Sequence, residues 1–297
     1  MSELLYQSQS ADNSIVANKI VNAWNEWDEL EEMVVGIADF ANFEPTEPGN
    51  RPALRDKKMA ELFPFPRGPK KQEVIDKANE ELNGLVKLLE SQGVTVRRPE
   101  KHDFSQAVRT PGFEVQNQYC AVCPRDVMIT LGNEILEATM SRRARFFEYL
   151  PYRNLVYHYW HNDPHMLWNA APKPTMADDM YRQEFWDWPL EERFARMHEF
   201  EFCIRQDEVI FDAADCSRFG RDVFVQESMT TNRAGIRWCL DNGYPGYTSY
   251  ASLNDLPWRF DCFAKLVKLL DRQVMAFAKA IELDLGGRAL VLDSLWV

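Results

Sequence analysis

The chain has 297 residues, 45% of them hydrophobic, with nine Trp and eighteen Phe, which is enough apolar material for one large or two ordinary folded domains. A formal net charge of −12 opposes phosphate backbones and anionic membrane surfaces, so nucleic acid and membrane are excluded as expected partners and a cationic small molecule is favoured. No apolar run reaches the ~18 residues of a membrane span, and Met1-Ser2-Glu3-Leu4-Leu5 opens neither a signal peptide nor an Arg-rich transit peptide, so a cytoplasmic location is expected.

Residues 1–21 are polar and read as a loose leader, with the fold starting near Asn22. Residues 27–36 run from a turn into a short apolar strand closed by Gly36, and Pro45, Pro48, Gly49 and Pro52 make the next stretch a loop. From Gln72 to Ser91, Val74, Ile75, Ala78, Leu82, Leu85, Val86, Leu88 and Leu89 recur at helical spacing with Gly93 as a stop signal, which predicts an amphipathic helix. Val94-Thr95-Val96 then reads as a strand, completing one α/β unit. Residues 127–131 and 134–138 are two apolar strands around a Gly132-Asn133 turn. Residues 142–160 include helix interrupted by Pro151, and 171–179 form a proline-stiffened loop. An irregular aromatic stretch around Phe185, Trp186 and Trp188 leads to a polar helix at 191–198. Residues 204–211 read as a strand that delivers Phe211-Asp212-Ala213-Ala214-Asp215, acidic side chains set between apolar runs as at a pocket edge.

The six cysteines, Cys120, Cys123, Cys203, Cys216, Cys239 and Cys262, sit among apolar neighbours without regular spacing, which favours reduced thiols over a disulfide framework. Cys120 and Cys123 have CxxC spacing but no second CxxC or paired histidines, so neither zinc nor redox use is expected. His158, His161 and His165 with Asp163 are read as a helix end and turn rather than a metal cluster. Arg142, Arg143 and Arg145 are read as a solvated face or as ion-paired with acids such as Glu148. No phosphate loop or dinucleotide fingerprint occurs, and no cofactor is expected.

Several segments, taken in order, resemble the arginine:glycine amidinotransferase family, including its relatives in guanidino-alkaloid toxin pathways. They are Asn25-Glu26-Trp27-Asp28 with Leu30-Glu31-Glu32, Gly93-Val94-Thr95-Val96-Arg97-Arg98-Pro99, Pro124-Arg125-Asp126 and Gly132-Asn133-Glu134-Ile135. Arg145-Phe146-Phe147-Glu148-Tyr149, Ala171-Pro172-Lys173-Pro174-Thr175-Met176-Ala177-Asp178, Phe211-Asp212-Ala213-Ala214-Asp215 and Gly220-Arg221-Asp222 continue the run. The resemblance implies an α/β fold, a pentein-like β/α propeller of ββαβ modules, over residues 22–240, often as a homodimer. It implies transfer of an amidino group from L-arginine to a small amine acceptor such as glycine, through a cysteine thiolate and a histidine held by an aspartate. By resemblance Asp126 falls on a guanidinium-binding position and Asp215 on the aspartate that orients the histidine. Read without it, Asp126 is a solvated turn carboxylate and Asp215 a helix N-cap before Cys216.

After Leu240 the resemblance ends. Pro257-Trp258-Arg259-Phe260-Asp261-Cys262-Phe263 echoes the family's histidine segment, with Arg259 at the histidine position and Asp261 at a second, substrate-binding carboxylate position. Leu285-Gly286-Gly287-Arg288-Ala289-Leu290-Val291 echoes the nucleophile segment without its His or Cys. No histidine follows His198 and no cysteine follows Cys262. Arginine stays protonated and cannot shuttle protons. Residues 241–297 are therefore expected to be a divergent tail, an amphipathic helix from Phe260 to Ile281 and a strand at 289–292, leaving the propeller incomplete. The leading expectation is an amidinotransferase-family protein. The alternatives are a noncatalytic arginine-binding or subunit-interaction protein, paired with a complete paralogue, and a tail rewritten by a frame or splice change near Leu240.

Overall fold

The computed structural model describes residues 19–49, 66–220, 222–242 and 249–252. All fall in the first of the two units into which the chain divides, Met1–Leu253. Residues 1–18, Pro52, Arg259, Asp261, the expected helix from Phe260 and the expected strand at 289–292 lie outside the described residues. Ile20 and Val21, assigned to the leader above, are packed. Their N–H groups donate to Asp163 Oδ2 at 2.8 and 3.0 Å, and Val21 is buried.

The N-terminal part contains β1 (Glu32–Val34), β2 (Asn42–Phe43), β3 (Gly68–Pro69), α1 (Gln72–Ser91), β4 (Thr95–Arg97), β5 (Val108–Arg109) and β6 (Glu114–Val115). β1 and β4 pair in parallel, Glu32 opposite Thr95, with α1 as the crossover, which confirms the α/β unit expected here. The helix has the predicted bounds. It ends where Gly93 takes φ +85°, a left-handed conformation open to glycine at no steric cost.

Two three-stranded sheets follow with the same wiring. In the first, β7 (Met128–Leu131) pairs antiparallel with β8 (Glu134–Glu137), and after α3 (Arg153–Asn162) the chain returns as β9 (Leu167–Ala170), parallel to β8. Ahead of β7 lies the one-turn helix α2 (Pro124–Val127), and after β9 comes α4 (Leu190–His198). In the second sheet, β10 (Cys216–Phe219) is antiparallel to β11 (Asp222–Val225), and α5 (Arg233–Asp241) leads to β12 (Ser249–Ser252), parallel to β11. Each is a ββαβ module. The β7–β8 turn is Gly132-Asn133 as expected. Gly132 has φ +60°, and a Cβ there would come within 2.7 Å of the Trp24 ring, so the turn both needs and exploits glycine.

β8 is buried along its whole length although it begins and ends in glutamate. Glu134 accepts from Asn169 Nδ2, and Glu137 accepts from Trp168 Nε1 at 2.8 Å and pairs with Arg153 at 3.2 Å, so β9 and α3 supply partners to both buried carboxylates. The apolar core between modules joins Ile129, Leu131 and Leu136 of the first to Cys216, Val223, Val225 and Ile236 of the second, with Phe211 between them.

One expected strand is absent. Residues 204–211 hold only an isolated bridge, Tyr181 with Ile204, because their backbone is met partly by scattered main-chain groups of Met180, Met140 and Asn232 and partly by side chains. Asn232 Oδ1 accepts from Ile210 N, and its Nδ2 donates to the carbonyls of Arg205 and Glu208. Thr139 Oγ1 accepts from Phe211 N at 2.8 Å. A ladder is thus replaced in part by an amide and a hydroxyl.

Candidate active site

The site lies where the first module begins and the second begins. Proline at the first position of α2 supplies a preset φ, so the helix starts sharply and Asp126 falls in its first turn. On the facing side, the Phe211–Asp215 stretch makes a 3₁₀ turn, Ala213–Asp215, capped by Asp212, whose Oδ1 accepts from Ala214 N at 3.0 Å. The cap expected at Asp215 is therefore at Asp212, and Cys216 opens a strand rather than a helix.

Arg145 joins the two turns. It ends the 3₁₀ turn Arg143–Arg145, and its guanidinium is ringed by three carboxylates. Nη2 donates to Asp126 Oδ2 at 2.9 Å, Nε donates to Glu148 Oε2 at 2.8 Å, and Nη1 stands 3.6 Å from Asp212 Oδ2. The Tyr119 ring closes one face, its centroid 5.6 Å from the guanidinium carbon. Arg145, Glu148 and Asp212 are all but fully buried, whereas the Asp126 side chain keeps 25% of its surface. The ion pairing with Glu148 expected from sequence is present, and the two aspartates add to it.

Burial pushes the Asp212 carboxyl up to about 7, helped by the Asp126 charge beside it and opposed by Arg145. Burial likewise pushes Glu148 up to about 7 against the pull of Arg145. Arg145 is raised well above its ordinary value, the three carboxylates outweighing its own desolvation. Three carboxylates around one guanidinium leave the cluster anionic when all are ionised. Among the described residues Asp126 Oδ1 makes no hydrogen bond, and Asp212 Oδ2 has only the 3.6 Å contact. This arrangement suits a second planar cation.

The Cys123 thiol, exposed and two residues before Arg125, shares this field. Desolvation and then the Asp126 charge push it up to about 11, so it is protonated at neutral pH. Cys120, Cys203, Cys216 and Cys239 are buried.

Asp215 sits apart from the ring. Its Oδ2 accepts from the hydroxyls of Ser228, Thr230 and Thr231, at 2.7, 2.9 and 2.5 Å. Thr231 Oγ1 in turn accepts from Asp212 N at 3.1 Å, so one hydroxyl links the Asp215 carboxylate to the Asp212 N–H, beside the direct bond from Asp215 N to Asp212 O. Sequence reasoning singled out the stretch but not Asp212 within it. The usable signal was its place directly after the apolar run Val209-Ile210-Phe211, which puts it at the core's edge. Asp163, drawn above with three histidines, accepts the N–H groups of Ile20, Val21 and His165 and so closes a turn. Among the described residues no helix is long and apolar enough to cross a membrane.

The chain is thus a protein of ββαβ modules in which carboxylates from the starts of two modules meet around a buried guanidinium. No protein-family profile matches the chain. Over 173 residues it is 43% identical to a glycine amidinotransferase of Gallus gallus named mitochondrial, a match covering 58% of this chain and 40% of that protein. It is 37% identical over 175 residues to the L-arginine:L-lysine amidinotransferase of Pseudomonas savastanoi pv. phaseolicola, covering 59% and 44%. Among solved structures, SxtG, an amidinotransferase from Microseira wollei in the saxitoxin biosynthetic pathway, matches with a TM-score of 0.62 at 38% identity, over 74% of this chain and 58% of that one. Inosamine-phosphate amidinotransferase StrB1 of Streptomyces griseus matches with a TM-score of 0.64 at 31% identity, over 78% and 62%. Over the matched residues the chain is similar to these amidinotransferases, and it shares their pentein-like α/β fold. It spans about two fifths of the length of the curated relatives it matches.

Proposed function

We propose that this chain binds the guanidinium of L-arginine between Asp126 and Asp212 and serves transfer of its amidino group to a small amine such as glycine. The observation that carries the reading is the pair of carboxylate oxygens, Asp126 Oδ1 and Asp212 Oδ2, left with spare acceptor capacity while Arg145 holds Asp126 Oδ2 and the Ala214 N–H holds Asp212 Oδ1. Arg145 fixes the aspartates before any ligand arrives, so binding costs little reorganisation. In this reading Asp212 is the carboxylate at the reacting group, and Asp215 positions it through Thr231. Asp261 would supply a further carboxylate. The names of the relatives support amidino transfer and point to glycine, lysine and inosamine phosphate as acceptors in those proteins. We place the protein in the cytoplasm as a homodimer or paired with a complete paralogue, with residues 22–240 as its amidinotransferase-like domain.

One observation favours arginine binding without turnover. His102 packs on Phe104, His158, His161 and His165 lie at the end of α3 or just beyond it, and His198 ends α4, so no described histidine is hydrogen-bonded to the carboxylates. The raised Cys123 thiol adds to this. Two measurements test the function. Calorimetric titration should show L-arginine binding and L-citrulline, its neutral isostere, not binding, and Asp126→Asn should weaken arginine roughly ten- to a hundredfold, as expected for one charge-assisted hydrogen bond. Equal response to arginine and citrulline would sink the proposal. Single-turnover incubation with guanidino-labelled arginine, scored by intact mass and ornithine release, then separates transfer from binding alone.

A further inference from the structure

Arg125 is the covalent neighbour of Asp126, yet its side chain turns away from Arg145 and its ring of carboxylates. Nη1 donates to the carbonyl of Ala213 and Nη2 to the carbonyl of Cys216. Ala213 is the covalent neighbour of Asp212, and the two carbonyls bracket the 3₁₀ turn that Asp212 caps. We propose that Arg125 is a positioning residue that sets the separation of Asp126 and Asp212, and so the fit of the guanidinium site. This rests on the arginine-binding reading above.

The geometry gives the guanidinium fork a task that no other side chain type performs. Its two terminal nitrogens are rigidly spaced in one plane, so engaging both carbonyls fixes the 3₁₀ turn in distance and in rotation relative to α2. An ammonium can reach two carbonyls with its three donors, but they are not held in one plane, so it leaves the turn free to rotate. Glu26 supports the fork from the N-terminal segment, its Oε1 3.6 Å from Arg125 Nη2. Glu26 is itself held by Arg218 of β10, which donates to it from Nε at 2.9 Å and from Nη2 at 2.6 Å. Arg218 Nη1 also donates to Thr130 O of β7 at 3.2 Å. The link therefore runs from β7 and α2 to the 3₁₀ turn and β10, the two module starts that carry the aspartates.

The groups facing Asp212 make the spacing measurable. Asp126 on α2, Arg145 at the end of its own 3₁₀ turn and Asp215 on the turn that Asp212 caps act on its carboxyl, and Arg125, Arg142, Cys123 and Cys216 also interact with it, so Arg125→Lys, which keeps the charge, is the deciding variant. A wider gap from Asp126 weakens the repulsion that favours the protonated form, so the Asp212 titration midpoint falls.

The test uses the full chain with Arg125→Lys, which keeps the charge, and Arg125→Gln, which removes it. Carbon-detected NMR of ¹³C-labelled aspartate follows the Asp212 carboxyl without ligand, and calorimetry follows L-arginine, with thermal unfolding as the check on folding. In folded Arg125→Lys the Asp212 midpoint should move down by about half a unit or more. Arginine should bind about ten- to a hundredfold more weakly, as expected when a site is misplaced by a fraction of an ångström to an ångström. A folded Arg125→Lys with the wild-type Asp212 midpoint overturns the proposal whatever arginine does. If the wild-type protein binds no arginine but the midpoint moves, the binding reading fails and the positioning role stands. Should Arg125→Gln fail to fold, Arg125→Lys alone carries the decision, and wild-type affinity in Arg125→Lys counts against the role in binding.

Discussion

Replacing Arg145 by methionine, of similar length and no charge, removes the one cation at the centre of the carboxylate ring. Three contacts go at once: 2.9 Å to Asp126, 2.8 Å to Glu148 and 3.6 Å to Asp212. Breaking a buried pair by deleting one partner costs about 3–5 kcal/mol, because the remaining charge is left unpaired. Here the remaining groups have an escape, since Asp212 and Glu148 already stand near 7 in the presence of Arg145 and rise further without it. Both are raised on folding, so the folded protein takes up protons above the ordinary carboxylate range. Their ionisation costs stability as pH climbs from about 4.5 through 7, and the wild-type loss is complete above that. In Arg145→Met the midpoints lie higher, so the loss continues beyond pH 7 at up to about 1.4 kcal/mol per pH unit for each group. The expected destabilisation is therefore about 3–5 kcal/mol at pH 8 and smaller by about 1–3 kcal/mol at pH 6. Urea unfolding of both proteins at the two pH values measures it. A destabilisation that is the same at pH 6 and pH 8, or below about 1 kcal/mol at pH 8, would refute the reasoning.

Glu47 is buried with its carboxylate on the N–H groups of Arg143, at 2.6 Å, and Ala144, at 3.1 Å, and burial pushes it up to about 7 despite those bonds, with Glu44 nearby adding to the rise. Stability should again fall as pH rises from about 4.5 to 7, and Glu47→Gln should flatten that slope by about 1 kcal/mol or more in urea unfolding, an unchanged slope counting against it. Gly235→Ala would set a methyl 2.1 Å from Ile210 O, so α5 must shift off the strand-like run before Asp212. A loss of about 1–3 kcal/mol in urea unfolding is expected, and a neutral result would mean the contact relaxes. Thr231→Val should weaken arginine binding more than it lowers the melting temperature, because it removes the only link from Asp215 to the Asp212 N–H; equal binding would place Asp215 outside the site.

Local signals were read where local physics decides. Helix α1 carries its own periodicity and its own stop at Gly93, and the β7–β8 hairpin carries Gly132-Asn133, so the helix and the turn were legible to the residue and the outer strand ends to within one. Asp126, singled out through its motif, stands against Arg145. Residues 204–211 were misread because their apolar content predicts a strand, while the partner that prevents it, Asn232, lies more than twenty residues on and acts through a side-chain amide. Asp212 does not stand out from Asp215 in the sequence for a similar reason. The two differ by burial and by which groups reach them, and Arg145, which ties Asp212 to Asp126, is 67 residues away in the chain. Charge alone does not distinguish a solvated carboxylate from one held against a buried guanidinium.

The arrangement also explains why an anionic site can exist before its ligand binds. Asp126 and Asp212 brought together without compensation would repel and protonate, and a protonated pair binds a guanidinium poorly. Arg145 pairs with the Asp126 oxygen that faces it and stands close to Asp212, while Glu148 takes up part of its charge from behind. The resident guanidinium is thus strong enough to hold the aspartates in place and, shared among three carboxylates, too weak to neutralise them all. Arginine entering the site would complete the charge balance, and Asp212, near 7 when empty, would then ionise fully. Binding is therefore coupled to release of up to one proton per arginine near neutral pH, and the affinity should rise with pH through that range.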